Sequence, residues 1–406
     1  MNILGPEFNV DPYPLYKRLR ESFPLFYFEP LDAHVLSRYT DIEFALRNEA
    51  FTVKNYEFQS EPLHGRTFIQ MDGTEHSRYR NIVAPSIRGR QLAEKIMPII
   101  EATSARIYDS FISSGKADFA AEYAARFPVL VISGLLGLDP GDEPRFLAWY
   151  RSFVDFIADL GQTPAITAKA FETKEAITDH LLPIIRRKRE NPGDDLISLM
   201  CTHEIDGVQM DDMEIKSFIS LLITAGGEST DKMLSLMLRN LLMCPEQMLQ
   251  VRENRKLIDN AFVESMRYSP VTHRLMRITN AEVEVSGGVI PANSKVVLLL
   301  GSAQRDETKF ANPDVFDINR PVALEKSFTS SAGHLAFGSG RHFCVGAMLA
   351  KAEIEVAFNQ LFDRTSAIAL NAPEFPRESG MFTRGVGALP IRFTPAAKNT
   401  NPHIIL

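Results

Sequence analysis

Between about residue 75 and residue 270 apolar side chains recur mostly at helical spacing, and this run limits the fold more than any other feature of the chain. A stretch of that length must bury one face of each helix against its neighbours. Its interruptions, "SSGKAD", "GLDPGDEP", "ENPGDD" and "MCPEQ", bring Gly, Pro, Asn and Asp together and read as turns between packed helices rather than as a flexible linker. Residues 13 to 60 mix helix with strand-like pieces such as "PLFYFEP" and "AHVLSRY". After Tyr268 the character changes: "VEVSGGVIPANSKVVLLLGSAQRD" gives short β-branched strands between Gly and Pro turns. Helix is expected to return near Cys344, with Val345, Leu349, Ala352 and Val356 on one buried face, and "EFPRESGMFTRGVGALPIRFTP" adds closing strands. The expectation is one mainly α domain with small β-sheets over 1–406. Its parts are a β-rich region at about 13–60, a helical core at 75–270, a strand and cysteine-loop region at 271–343, and a helix with strands at 344–406.

Charge and cysteine content exclude several classes. The formal net charge of -7 argues against nucleic acid as a partner, because neutralising phosphates needs basic surface. Three cysteines, an odd number without any CxxC, suggest neither a disulfide framework nor a zinc ribbon and fit a reducing, cytoplasmic compartment. No stretch approaches the ~20 apolar residues of a membrane span, and the N-terminus lacks a signal-peptide pattern. No membrane is expected as a partner.

The stretch "FGSGRHFCVG", Phe337 to Gly346, places a cysteine after a glycine-rich loop and at an expected helix start. Glycines allow positive φ and close approach to a flat ligand. Free N–H groups of a starting helix aimed at sulfur favour thiolate over thiol. A thiolate so held is an iron ligand or a nucleophile, the second with His342 as base. A lone cysteine is more often a small buried hydrophobe, and a helical scaffold without chemistry is a further reading. The loop resembles the cysteine-ligand loop of the cytochrome P450 family in all six specified places of its pattern: Phe337, Gly338, Gly340, His342, Cys344 and Gly346.

That resemblance implies a cytochrome P450 fold, roughly a dozen helices around a buried haem b, with Cys344 as proximal thiolate and Phe337 and Gly338 beside it. A thiolate pushes electron density that favours O–O cleavage. The family's early HxxxR element matches His76 and Arg80, and its propionate partners are expected at His76, Arg80, His342 and Arg277. Glu264 and Arg267, three apart on a helix, match its ExxR element and are expected to pair with Arg320 in a folding role.

In "FISLLITAGGESTDKMLSLMLRNLLM" a long helix carries Ala225, Gly226 and Gly227, then Glu228, Ser229 and Thr230. Two adjacent glycines cost about 1 kcal/mol each against alanine, and a widened helix admitting O2 beside the metal is the expected compensation. Ala225 and Gly226 are accordingly expected to border the cofactor. Ser229 stands where the resembled family has threonine, so Glu228 and Ser229, with Thr230 as the alternative hydroxyl, are expected to deliver protons to O2. Phe218, Leu222 and Ala225 share the stripe leading to Gly226 and are expected to line the substrate pocket. Thr272, His273, Arg274 and Phe382, with residues 54–70 and 150–175, complete that expectation. Thr272, His273 and Arg274 are candidates to anchor a polar or anionic group of a small-molecule substrate. No flavin or nicotinamide fingerprint is present. Electrons are therefore expected from an external donor, a ferredoxin with its reductase, at a basic patch of Arg78, Arg341 and Lys351. A peroxide-driven or non-oxygenating haem-thiolate enzyme remains the alternative within the family.

Overall fold

The structure, a computed structural model, describes residues 2–159 and 163–396. Most of the chain is helical. The long helix Asp212–Met243 is its axis, opened by a capping box in which the Asp211 carboxylate accepts the Glu214 N–H and the Glu214 carboxylate accepts the Asp211 N–H, both at 2.8 Å. Helices Phe127–Leu135, Glu143–Ala158 and Pro164–Glu190 pack along it, joined by Leu257–Tyr268 on another side. One large apolar cluster fills the space between these helices, and a second lies between the N-terminal segment and a mixed sheet. Among the described residues no helix is long and apolar enough to cross a membrane.

That sheet has five strands in the order Leu25–Phe28, Ala33–Leu36, Lys295–Leu298, Leu275–Thr279 and Phe51–Thr52. All pairs are antiparallel except Ala33–Leu36 with Lys295–Leu298. Alternation along a strand sends Leu275 and Arg277 to one face and Met276 to the other. A three-stranded sheet joins Thr365–Leu370, Pro390–Pro395 and Lys116–Asp118.

Two sequence expectations change here. The cysteine is not within the first turn of the final helix: that helix is Ala347–Arg364, and Cys344 precedes it, after the short 3-10 turn Gly340–His342. The loop is closed by the Cys344 N–H on the Phe337 carbonyl at 2.8 Å. Gly340, at φ 68°, has no room for a side chain, because a Cβ there would lie 2.7 Å from the Leu46 carbonyl oxygen. Loop and helix Tyr39–Arg47 therefore touch backbone to backbone.

The glycine pair does not widen the long helix, which stays α-helical throughout. A Cβ on Gly226 would meet Ile132 at 2.7 Å, and one on Gly227 would meet Tyr150 at 2.8 Å and Val129 at 2.9 Å. The glycines let neighbouring helices approach closely, and that packing compensates for their low helix propensity.

Candidate functional site

A cavity of about 370 Å³ lies between the long helix, the cysteine loop and the strand Leu275–Thr279. Helical period decides what the long helix contributes: Leu222, Ala225, Gly226 and Ser229 reach the cavity, with Ala225 and Ser229 open to it one turn apart. Thr230 also borders it. Across from them stand Phe337, Gly338, His342 and Cys344, while Leu275 and Arg277 come from the strand face described above.

The backbone N–H groups of Gly346 and Ala347 donate to the Cys344 sulfur. Burial in apolar surroundings nevertheless pushes the free thiol up, against the opposing pull of those N–H groups and of Arg80. The N–H groups and Arg80 pull toward thiolate, as expected at a helix start, and desolvation opposes them in the free thiol. A thiol in that state ionises most readily onto a bound metal.

Four nitrogen-bearing side chains gather at the same cavity: His76, Arg80, Arg277 and His342. Arg80 donates to the Phe343 carbonyl at 2.5 Å and Arg277 to the Met276 carbonyl at 2.7 Å, so both guanidiniums retain free N–H groups. The His76 ring lies 4.1 Å from that of His342. Burial lowers the His76 pKa to about 4, with His342 and Arg80 adding to the shift, so the ring is neutral at pH 7. Both of its ring nitrogens are buried without a hydrogen-bond partner. His342 Nε2 sits 3.1 Å from Asp72 Oδ1. The donor set suits a flat ligand with acidic edge groups and a soft metal at its centre.

The acid expected on the oxygen side lies elsewhere. Glu228 is buried outside the cavity wall, where its Oε1 accepts from Lys232 Nζ at 2.5 Å and Thr383 Oγ1 at 2.6 Å. The Ser229 side chain has no hydrogen-bond partner among the described residues, so its hydroxyl is not spent on a preceding carbonyl. Sequence reasoning missed Glu353. It lines the cavity, bonds Thr230, and is 1% exposed, with Oε1 unpartnered. Burial pushes its carboxyl well above the ordinary range, which favours the protonated form. The signal was present: Glu353 falls on the apolar face of its helix, between Leu349 and Val356.

The pocket expectations divide. Leu222, Ala225 and Thr272 line the cavity, as do Tyr56, Phe68 and Ile69 from the 54–70 stretch. Phe218, His273, Arg274 and Phe382 do not. Phe218 packs behind the wall on Phe68 and Tyr79. His273 is fully buried against Tyr16, whose hydroxyl is 2.9 Å from Nδ1, and its pKa is driven far down by burial. Arg274 donates to the Ile3 carbonyl at 2.9 Å and lies between the rings of Phe8 and Phe382. These side chains secure the N-terminal segment instead of facing a substrate. No residue of 150–175 lines the cavity among the described residues, and 160–162 lie outside them.

Glu264, Arg267 and Arg320 lie apart from the cavity and are joined to one another. Arg267 grips the Glu264 carboxylate through two hydrogen bonds of 2.8 and 2.7 Å, and Arg320 Nε adds a third at 3.2 Å. The supposed basic patch is less free. Arg78 pairs with Asp206, Arg341 with Glu49, and Lys351 with Asp259 and Glu355.

Comparison with known proteins follows this geometry. Residues 146–382 match the family model described as Cytochrome P450. The chain is 36% identical to pulcherriminic acid synthase of Bacillus subtilis (strain 168) over 398 residues, covering 97% of this chain and 98% of that protein. It is 31% identical to cytochrome P450 monooxygenase PikC of Streptomyces venezuelae, over 97% and 94% of the two chains. The crystal structure of P450BioI with hexadec-9Z-enoic acid ligated acyl carrier protein superposes with a TM-score of 0.85 at 27% identity, covering 95% of this chain and 99% of that one.

Proposed function

Because the chain belongs to the cytochrome P450 family, we propose that it is a monooxygenase that holds haem b through Cys344 and oxidises a small, largely apolar and uncharged organic substrate. The residues fit that cofactor. A sulfur supported by two N–H groups opens onto the cavity, and the unpartnered nitrogens of His76 with the free N–H groups of Arg80, Arg277 and His342 suit two propionates. When bound, the haem supplies an iron centre that activates dioxygen with electrons delivered from outside.

The protein's part is to orient substrate, exclude water and move protons. Ser229 presents its Oγ–H to the cavity without a competing protein acceptor, which suits it to pass protons singly. Thr230 is held by Glu353, whose burial at the cavity wall favours the protonated carboxyl. Glu228 positions rather than donates: through Thr383 and Lys232 it ties the long helix to the 378–385 turn. Electrons come from a separate donor, and a ferredoxin with its reductase is the class proposed.

The observation that carries this reading is the Cys344 sulfur facing the same cavity as Ser229. Its test is the spectrum of the reduced protein under carbon monoxide. A Soret band at ~450 nm supports a thiolate-bound haem, and Cys344→Ser should abolish it; a colourless parent, or a band that survives the substitution, overturns the assignment. Incorporation of labelled dioxygen into product then separates monooxygenation from peroxide-driven chemistry. Ser229→Ala should divert reducing equivalents to peroxide, whereas unchanged coupling removes Ser229 from the proton path.

A further inference from the structure

A second cavity, of about 850 Å³, opens where the N-terminal segment, the C-terminal end of the long helix and the 377–384 stretch meet. It shares no wall residue with the cysteine cavity. Its wall carries six cationic side chains, Lys17, Arg20, Arg239, Arg305, Arg377 and Arg384, against three acidic ones, Asp11, Asp314 and Glu378.

Pairing does not remove that excess. Arg20 is matched by Glu307 at 2.8 Å, Arg305 by Asp314 at 2.8 Å, and Arg239 by Glu378 at 3.3 Å. Arg377 is exposed, with no ion pair or hydrogen bond among the described residues, and Lys17 has only a long i,i+4 contact of 4.0 Å with Glu21. Arg384 is 2% exposed, yet it donates only to the carbonyls of Asn9, Val10, Glu378 and Gly380, and its Nε has no partner. Behind it Arg274 is also buried, with one carbonyl partner and with Nε and Nη1 unpartnered. Neither buried guanidinium has a carboxylate at ion-pair distance, so each keeps uncompensated positive charge that attracts an anion.

The cations are also held in place. Arg305 is clasped between the rings of Tyr13 and Tyr268, 4.2 and 4.0 Å from their centroids. Arg20 is fixed by Ser302 and Glu307, and Arg239 by the Pro376 carbonyl at 2.7 Å. For these three the ordering cost is already met, and only Lys17 and Arg377 at the rim are left for the ligand to order.

We propose that this cleft binds a small multivalent oxyanion, a polyphosphate or polycarboxylate group, with Arg377 and Lys17 contacting it at the rim and Arg384 supplying positive charge at the base. Guanidinium forks match such oxygen pairs geometrically. The 378–385 turn that carries Arg384 also carries Thr383, the hydroxyl on Glu228, so the bound anion rests on an element tied to the long helix.

The experiment is calorimetric titration of the holoenzyme with inorganic pyrophosphate and, separately, with citrate at constant ionic strength. Saturable one-to-one binding below about 1 mM is expected. The double variant Lys17→Ala, Arg377→Ala should weaken it at least about tenfold, while Arg90→Ala, Lys95→Ala, which removes the same charge elsewhere, should not. Preference for pyrophosphate identifies phosphate chemistry and preference for citrate identifies carboxylate chemistry. No saturable heat with either anion, or equal weakening in both double variants, overturns the site. The outcome is independent of the carbon monoxide spectrum.

Discussion

Glu264→Ala removes the acceptor at the centre of a buried network and should be among the most destabilising single changes outside the cavity. The Glu264 carboxylate accepts from Arg267 at 2.8 and 2.7 Å, from Arg320 at 3.2 Å and from the Asp317 N–H at 2.9 Å. The side chains of Arg267 and Glu264 are 2% and 3% exposed, so little solvent can replace what is lost. After truncation Arg267 still donates to the carbonyls of Gln304, Pro313 and Val315. Those oxygens satisfy its N–H groups without neutralising its charge. Breaking one side of a buried pair costs ~3–5 kcal/mol, and the carbonyls place this case in the middle, at ~4 kcal/mol.

Glu264→Gln keeps the shape and one accepting oxygen but loses the charge, and should cost ~2 kcal/mol, as for charge-assisted hydrogen bonds. Glu21→Ala is the control. Its pair with Lys17 spans 4.0 Å, with both side chains more than half exposed, and should change stability by under ~0.5 kcal/mol. Urea unfolding at neutral pH measures all three, read as a midpoint shift at constant slope. If Glu264→Ala stays within ~1 kcal/mol of the parent, the carbonyl set alone carries Arg267 and the ion-pair reasoning fails.

Three further outcomes follow from single positions. Gly227→Ala gains ~1 kcal/mol of helix propensity but drives a methyl into Tyr150 and Val129; overpacking costs ~1–3 kcal/mol, so a net loss is expected on denaturation, and a gain would show that the helices can separate freely. His64 is buried, with its pKa lowered to about 4 by burial and then by Lys216, so the unfolded chain takes up its proton first. Its share of stability, roughly 3 kcal/mol, should be lost as pH falls from 6.5 to about 4, and His64→Asn should flatten the stability profile in that window; an unchanged slope refutes the assignment. Glu353→Gln replaces a neutral acid by a neutral amide and should change unfolding free energy by less than ~1 kcal/mol, whereas a loss near ~3 kcal/mol would mean that the native group is ionised.

The helical core was legible because its period is long and its breaks are marked by Gly, Pro and Asp, and the cysteine loop because its residue types are specific. The ExxR partners and the cavity positions of His76, Arg80 and Arg277 followed from the resemblance and from helical or strand spacing. The failures have local causes. Gly226 and Gly227 looked like a defect because the sequence does not display Ile132, Val129 and Tyr150, which come from other helices. Helix onset near Cys344 was misplaced because boundaries depend on caps, and here a 3-10 turn intervenes. Glu228 was expected at the cavity, but its partner Thr383 lies 155 residues away in sequence. Glu353 was overlooked because an acid on an apolar face reads as noise until Thr230 is seen beside it.

The relocation of His273 and Arg274 bears on what the enzyme can accept. Regular alternation starts only at Leu275, so the two preceding residues are not bound to the strand's cavity face, and both turn toward the N-terminal segment. Without them the wall keeps hydroxyls from Tyr56, Ser229 and Thr272 among apolar side chains, with that of Thr230 taken by Glu353, while its cations stand where propionates are proposed. A carboxylate or ammonium on the substrate would surrender hydration there and meet no counter-charge, a cost of several kcal/mol. A neutral molecule with a carbonyl or hydroxyl loses far less and can recover it from one of the three hydroxyls. With the proposed haem taking up Arg80 and Arg277, selection against charged substrates is the expected consequence of where His273 and Arg274 point.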